Sequence, residues 1–311
     1  MLTPGQILLH LYHQPVGRLR DCLREGGPWA QRRTAQGRRE MEAAARRLPP
    51  LPERPGETLE VHLLTGRRFW PLTVFCLHSL ARFSPPGVAA HIYDDGTIDE
   101  ATRRQLAALG PAVTLHSQAS ILERLDRHLP ERRFPTLRER WRNYPNLRKL
   151  TDPHVGGTGW KLAIDSDLLF FREPRALLDW SRNPFGPLHA VDCEESYGYS
   201  RRLMERLAGA TLPPLVNVGL CGLRSDRLDW EELEAWTAEL IAQEKTNYYL
   251  EQALVAMLAA REAQRCVLPA SDYVTFPSRR EVERPRAVMH HYVAHSKRWY
   301  FQIGWRHLAT P

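Results

Sequence analysis

Apolar residues along this chain fall in short runs that switch between a period of two and a period near 3.6, and the switching sketches the architecture. Residues 59–65 are mostly apolar, with a β-branched residue, and read as a strand. Residues 69–83 follow as an apolar helix, with Pro71 tolerable in its first turn. Residues 88–93 form a second strand that stops at Asp94-Asp95-Gly96, a turn signal. Thr97 is placed to cap the next helix, with Asp99 and Glu100 in its first turn. Residues 112–116 are a third strand, and helical, arginine-rich sequence continues to about Leu150. The run Gly159-Trp160-Lys161-Leu162-Ala163-Ile164 predicts a buried strand, and residues 187–193 and 215–223 two more. Helices are expected over 230–243 and 249–261, and short strands over 266–269 and 286–292. Strands alternating with helices predict an α/β fold: a mostly parallel central sheet, helices on both faces, and ligands beyond the carboxyl ends of the strands.

The first part of the chain departs from this alternation. Residues 1 to about 48 read as helical, broken near Gly26-Gly27-Pro28, and end at the natural linker Pro49-Pro50-Leu51-Pro52. The expected organisation is a helical, Arg-rich extension with its Pro-rich linker over 1–55, then a single α/β domain over 56–311, with no internal repeat.

Composition narrows the class. A chain of 311 residues, 43% hydrophobic and 25% charged, suits a globular protein with a full core. No run approaches the length of a membrane span, and Ile7-Leu8-Leu9-His10-Leu11-Tyr12 is too short and interrupted to be a signal h-region. Cys22, Cys76, Cys193, Cys221 and Cys266 are odd in number, unclustered and mostly set in apolar runs. They read as reduced core residues, so the cytoplasm is the expected location. The net charge of +7 suits nucleic acid, anionic lipid or an anionic substrate. Its arginines gather in residues 32–47 and 132–149 without interleaved aromatics, so nucleic acid is not expected as a partner. The first cluster reads as a solvated helix face. Peripheral contact with acidic head groups, at the inner face of the membrane, is the second reading.

Candidate chemistry centres on Asp165-Ser166-Asp167, delivered by the buried strand and followed by the apolar Leu168-Leu169-Phe170-Phe171. Side chains two apart on extended backbone point the same way, so both carboxylates can face one point. Held that close they repel and resist burial unless a cation or protons compensate, and a divalent metal would leave positions open for phosphates. A second segment, Val288-Met289-His290-His291-Tyr292-Val293-Ala294-His295-Ser296-Lys297-Arg298-Trp299, ends a strand in imidazoles with a lysine close behind. An imidazole beside two carboxylates favours Mn²⁺, with Mg²⁺ as the alternative, and the lysine would supply charge for phosphate oxygens.

These residues resemble the nucleotide-sugar glycosyltransferases of the GT-A fold, a Rossmann-like α/β architecture, and most closely glycosyltransferase family 8. That family has a D-x-D after a buried strand, an Asn-x-Gly segment, an acid-Gln pair on a helix, and a C-terminal H-[FY]-x-G-x-x-K-P-W. Here Asp165-Ser166-Asp167, Asn217-Val218-Gly219, Glu251-Gln252 and His291-Tyr292-Val293-Ala294-His295-Ser296-Lys297-Arg298-Trp299 occur in that order over roughly 58–305. The resemblance implies that Asp165, Asp167 and His291 ligate Mn²⁺ and that Lys297 touches the diphosphate of a donor, a UDP-sugar by expectation. It places Ser166 and Ala294 on the donor side, Thr65 and Gly66 against the nucleoside, and Asp94 or Asp95 on the base or ribose. Arg148 or Lys149 stands where the family has a basic residue on the donor. Asn217 and Gln252 would line the sugar pocket with Glu251 beside them. The implied reaction is sugar transfer to a hydroxyl of a glycan, lipid-linked or protein acceptor, with retention. If the reaction inverts, Glu251 or Asp192 would serve as base.

The sequence departs from the family at Ala294, where the family has glycine, at Arg298, where it has proline, and at Glu251, where it has aspartate. Trp299 and Trp305 are the tryptophans expected to wall the substrate. Two rival readings are a sugar-nucleotide nucleotidyltransferase or hydrolase, and a non-enzymatic basic binding protein. Against the first, Leu64-Thr65-Gly66-Arg67-Arg68 offers a single glycine where a triphosphate cradle needs several.

Overall fold

In a computed structural model the chain is described over residues 26–309; Cys22 and the first half of the expected N-terminal helical stretch lie outside the described residues. The predicted break at Gly26-Gly27-Pro28 is a helix start: Gly26 turns the backbone at φ 92°, and α1 runs Gly27–Ala45 with Pro28 in its first turn. The linker follows, and then the alternation. The strands are β1 (Thr58–Thr65), β2 (Gly87–Asp94), β3 (Val113–His116), β4 (Trp160–Ile164), β5 (Leu168–Phe170), β6 (Leu188–Val191), β7 (Val216–Arg224), β8 (Cys266–Val267), β9 (Tyr273–Thr275) and β10 (Met289–His291). The helices after α1 are α2 (Trp70–Phe83), α3 (Glu100–Ala107), α4 (Gln118–His128), α5 (Pro135–Asn143) and α6 (Arg148–His154). They continue with α7 (Arg175–Arg182), α8 (Arg201–Ala208), α9 (Trp230–Glu244), α10 (Leu250–Ala260), α11 (Arg279–Glu283) and α12 (Lys297–Gln302).

The central sheet has seven strands in the order β3-β2-β1-β4-β7-β6-β8. Neighbours are parallel except where β7 meets β4 and β6, against both of which it runs antiparallel. The α/β class and mostly parallel sheet therefore stand, with one reversed strand that alternation alone does not reveal. Apolar clusters cover both faces: Phe75, Leu77, Leu80, Phe170 and Trp305 belong to one, and Leu125, Trp141, Met204, Leu254 and Met257 to the other. A side chain of this kind contributes about 1.5–3 kcal/mol when fully buried.

A second sheet of three strands, β5-β10-β9, stands on the continuation of β4. β10 pairs antiparallel with β5, His291 opposite Leu168. One local expectation fails. Asp99, not Thr97, caps α3, its carboxylate accepting from Thr102 N at 2.8 Å. The Thr97 hydroxyl instead accepts from Arg67 N and donates to Asp95 Oδ1, which ties the turn after β2 to the turn after β1. No helix among the described residues is long and apolar enough to cross a membrane.

Candidate active site

The link between the two sheets is Asp165-Ser166-Asp167. Asp165 N donates to Gly219 O (2.7 Å) as β4 ends, and Tyr292 N donates to Asp167 O (3.1 Å) as β5 begins. Because His291 pairs with Leu168, the next residue after Asp167, the small sheet brings the C-terminal imidazole onto the two carboxylates. His291 Nε2 lies 3.3 Å from Asp167 Oδ1 and 3.6 Å from Asp165 Oδ2. The reversed strand completes the group: β7 enters at this end of the sheet, placing Asn217 and Gly219 beside the ring. Asn217 Oδ1 accepts from Gly219 N (3.0 Å), so its oxygen is the atom that faces His291 Nδ1, also at 3.0 Å. Nδ1–H therefore donates, and the ring turns its Nε2 to the aspartates. A Cβ at Gly219 would overlap the imidazole, so glycine is required for this approach.

One ligand atom from each of Asp165, Asp167 and His291 lies within 4.8 Å of the others. Among the described residues the buried Asp167 Oδ1 has no partner beyond the 3.3 Å contact with His291 Nε2, which leaves it able to accept a further ligand. Two carboxylates and an oriented imidazole fit a divalent cation of the Mn²⁺ or Mg²⁺ kind.

Cationic side chains flank the pair. Lys297 Nζ sits 2.9 Å from Asp167 Oδ2, and Lys149 Nζ bridges Asp165 Oδ1 (2.8 Å) and Glu251 Oε2 (3.2 Å). Burial works against charge at both aspartates, but Lys149 and His291 outweigh it at Asp165, Lys297 and His291 at Asp167, and both carboxyls fall below their ordinary range. Burial likewise opposes charge on His291, yet the two carboxylates push its pKa up to about 9. A proton and a cation thus compete for one position. Burial pushes Glu251 up to about 7, with Lys149 pulling the other way. Gln252 Nε2 donates to Asp192 Oδ2 (3.0 Å) and to Val216 O (2.8 Å).

A cavity of about 730 Å³ opens over this group. Of the residues singled out from sequence, Lys149, Asp165, Asp167, Asp192, Asn217, Glu251, Gln252, His291, Ala294 and Lys297 line it. Glu251 and Gln252 are both buried. Thr65, Gly66, Asp94, Asp95, Arg148 and Ser166 do not line it. The first five meet at the carboxyl ends of β1 and β2. Thr65 Oγ1 bonds Thr73 Oγ1 (2.7 Å), Gly66 lies against the Asp95 carboxylate, and Asp94 Oδ1 accepts from Gly96 N and Ile98 N. Arg148 stacks on Trp141 and donates to Asp95 O (2.6 Å), one residue before Lys149 enters the cavity. Ser166 is half-buried between its aspartates. Trp299 and Trp305 form no wall here: Trp305 is buried against Phe75, and Trp299 lies between Arg279 and Arg298. The aromatic lining comes instead from Tyr248, Tyr249 and Phe276. The Tyr248-Tyr249 pair just ahead of Glu251-Gln252 was the available signal; Phe276 had none.

Backbone strain collects at the same place. The described non-glycine residues at positive φ are Leu215 (54°), Lys245 (69°), Phe276 (63°) and Ala294 (45°). Phe276 and Ala294 line the cavity, Leu215 O receives Asp192 N, and Lys245 opens the loop that carries Tyr248 and Tyr249. Strain of about 1–3 kcal/mol per residue persists where surrounding structure over-determines it, as at functional sites.

No family model matches the sequence, and no curated protein matches it. Solved structures do resemble the fold. Mouse xyloside xylosyltransferase 1, in its apo form, superposes with a TM-score of 0.52 at 13% identity, over 76% of this chain and 97% of that one. Galactosyltransferase LgtC, in complex with donor and acceptor sugar analogues, gives 0.52 at 13% identity over 81% and 95%. The bifunctional glycosyltransferase WbbM gives 0.51 at 12% identity over 79% of this chain and 47% of that one. The chain has the GT-A fold of these proteins.

Proposed function

We propose that this protein is a metal-dependent glycosyltransferase, moving a sugar from a nucleotide diphosphate, by preference a UDP-sugar, to a hydroxyl of a glycan, lipid-linked or protein acceptor, in the manner of glycosyltransferase family 8. The observation that carries the reading is the convergence of Asp165, Asp167, His291 and Lys297 on one cavity at the carboxyl end of β4.

Glycosyl transfer asks for departure of a diphosphate from an oxocarbenium-like carbon. A divalent cation held by Asp165, Asp167 and His291 would neutralise charge on that diphosphate. Lys297 Nζ, now on Asp167, is placed to follow the growing charge of the leaving phosphate, an electrostatic contribution of several kcal/mol. Asn217 holds the His291 ring in register, and Lys149 keeps Asp165 and Glu251 from repelling each other. Gln252 and Asp192 hold each other at the cavity wall, where they meet the sugar. Thr65, Gly66, Asp94 and Asp95 form the shelf for the nucleoside. Retention follows from the family likeness. In an inverting reaction the base is Glu251, whose carboxyl exchanges a proton near neutrality, or Asp192.

The test is thermal unfolding with UDP, GDP and ADP, each with and without Mn²⁺. A ligand at a hundred times its Kd adds about 2.7 kcal/mol, so UDP with Mn²⁺ raises the midpoint by about 4 °C. Asp167→Asn loses the metal-dependent part. Absence of metal-dependent stabilisation by every nucleotide would sink the proposal, and release of pyrophosphate in place of UDP would mean nucleotidyl transfer. A β-linkage formed from an α-linked donor, seen by NMR of early product, would end the claim of retention.

A further inference from the structure

Helix α1 uses only one of its faces inside the fold. The inner face carries Gly37, Met41 and Ala45, and docks on α12 and α2. Gln302 Nε2 donates to Ala30 O (3.1 Å) and Thr34 Oγ1 (2.8 Å), and the missing side chain of Gly37 lets the helix lie on the Phe301 carbonyl. The outer face presents Trp29, Arg32, Arg33 and Arg39, all exposed. Of the acids of the helix, Glu42 is engaged by Arg46 and Glu40 chiefly by Arg306, with a weaker pull from Arg39.

Trp29 is the telling residue. It is 75% exposed, whereas the other eight tryptophans of the chain are buried or half-buried. The guanidinium of Arg32 stands 5.1 Å from its ring centroid. An indole with an apolar body and one N–H suits the boundary between water and hydrocarbon, and arginines beside it suit anionic head groups. The join to residues 1–25 lies at the same end of the helix. That segment holds Ile7-Leu8-Leu9-His10-Leu11-Tyr12, and Arg18, Arg20 and Arg24. Apolar and basic side chains thus recur on both sides of the join. An apolar run has no part in binding a nucleic-acid backbone, which the same arginines would otherwise suit.

We propose that the outer face of α1 docks the protein on an anionic lipid bilayer, with Trp29 at head-group depth and Arg32, Arg33 and Arg39 on acidic head groups. Since α1 packs on α12, whose first residue is Lys297, docking holds that edge of the cavity near the bilayer surface. The inference rests on α1 and the sequence that precedes it, and stands whether or not the cavity transfers sugar.

The test is co-sedimentation of the full chain with vesicles of phosphatidylcholine, pure or containing phosphatidylglycerol. The protein should pellet with the anionic vesicles, remain in solution with the neutral ones, and be released by high salt. The triple variant Arg32→Glu/Arg33→Glu/Arg39→Glu should lower binding about tenfold or more. Trp29→Ala should weaken it and abolish the blue-shifted fraction of tryptophan emission seen on binding. All four positions are exposed, so unchanged midpoints of thermal unfolding establish that the variants fold. No pelleting with either vesicle, pelleting that ignores the substitutions, or stronger binding to polyuridylate with the same sensitivity would each overturn the proposal.

Discussion

At His291 the ring nitrogen that does not face the aspartates is committed to Asn217, so the amide oxygen sets which nitrogen a cation meets. Asn217→Ala frees the ring and should weaken Mn²⁺ binding by about 10- to 100-fold, measured by titration calorimetry, with little change in fold. Unaltered affinity would mean that Asn217 serves the interior only. Ala294 carries the opposite kind of constraint, a φ of 45° on a residue with a Cβ. Ala294→Gly relieves that strain but gains chain entropy when unfolded, so it should stabilise by less than about 1 kcal/mol in urea unfolding. A loss of stability there would show that the methyl group packs. The acidic pair, His291 and Lys297 were legible in sequence because chemistry dictates residue type at those positions. Gly219 against the ring and Phe276 in the cavity were not, because both depend on contacts between segments far apart in the chain.

Elements meet at Lys149. It sits at the start of α6, between Asp165 at the end of β4 and Glu251 in the first turn of α10, and its own ammonium is held above its ordinary pKa by both acids despite burial. Removing it leaves the half-buried Asp165 and the buried Glu251 without the cation between them. Lys149→Met should destabilise by about 3 kcal/mol in urea unfolding, and adding Glu251→Gln should recover part of that loss, a coupling visible in a double-mutant cycle. Additive effects would mean that the bridge contributes nothing. The hydrophobic pattern located β4, α10 and their neighbours to within a few residues, since periodicity reports burial. It does not report direction. β7 is as apolar as a parallel strand and lies between β4 and β6 in the reverse sense, which is why Asn217 reaches the imidazole. Very short elements such as β9 and α11 have too few residues to show a period at all.

Across the whole molecule, titration should betray the histidines that the fold has buried neutral. Burial lowers His62 to about 2, His154 to about 3 and His290 to about 4, all far below the ordinary imidazole value. As pH falls through 6.5 the unfolded chain takes up these protons and the native state does not, so stability drops with acidification. Each group accounts for about 2 kcal/mol by pH 5. Two carboxyls act in the opposite sense: burial raises Glu251 to about 7 and Asp152 to about 6, so the native state binds their protons first, and they offset part of the loss between pH 7 and about 4.5. Below that the unfolded chain protonates its carboxyls as well, and the offset stops growing while the histidine contribution continues. Urea midpoints should therefore fall gently from pH 7 to 5 and steeply below. His154 is the sharpest probe. It bonds Ser225 Oγ at 2.9 Å, joining α6 to the turn after β7, and among the described residues it has no carboxylate partner. His154→Gln keeps a polar group that can reach Ser225 but cannot take a proton, so the acid limb of the stability curve should flatten by about 1.4 kcal/mol per pH unit. An unchanged slope in that variant would show that His154 is already protonated in the native fold.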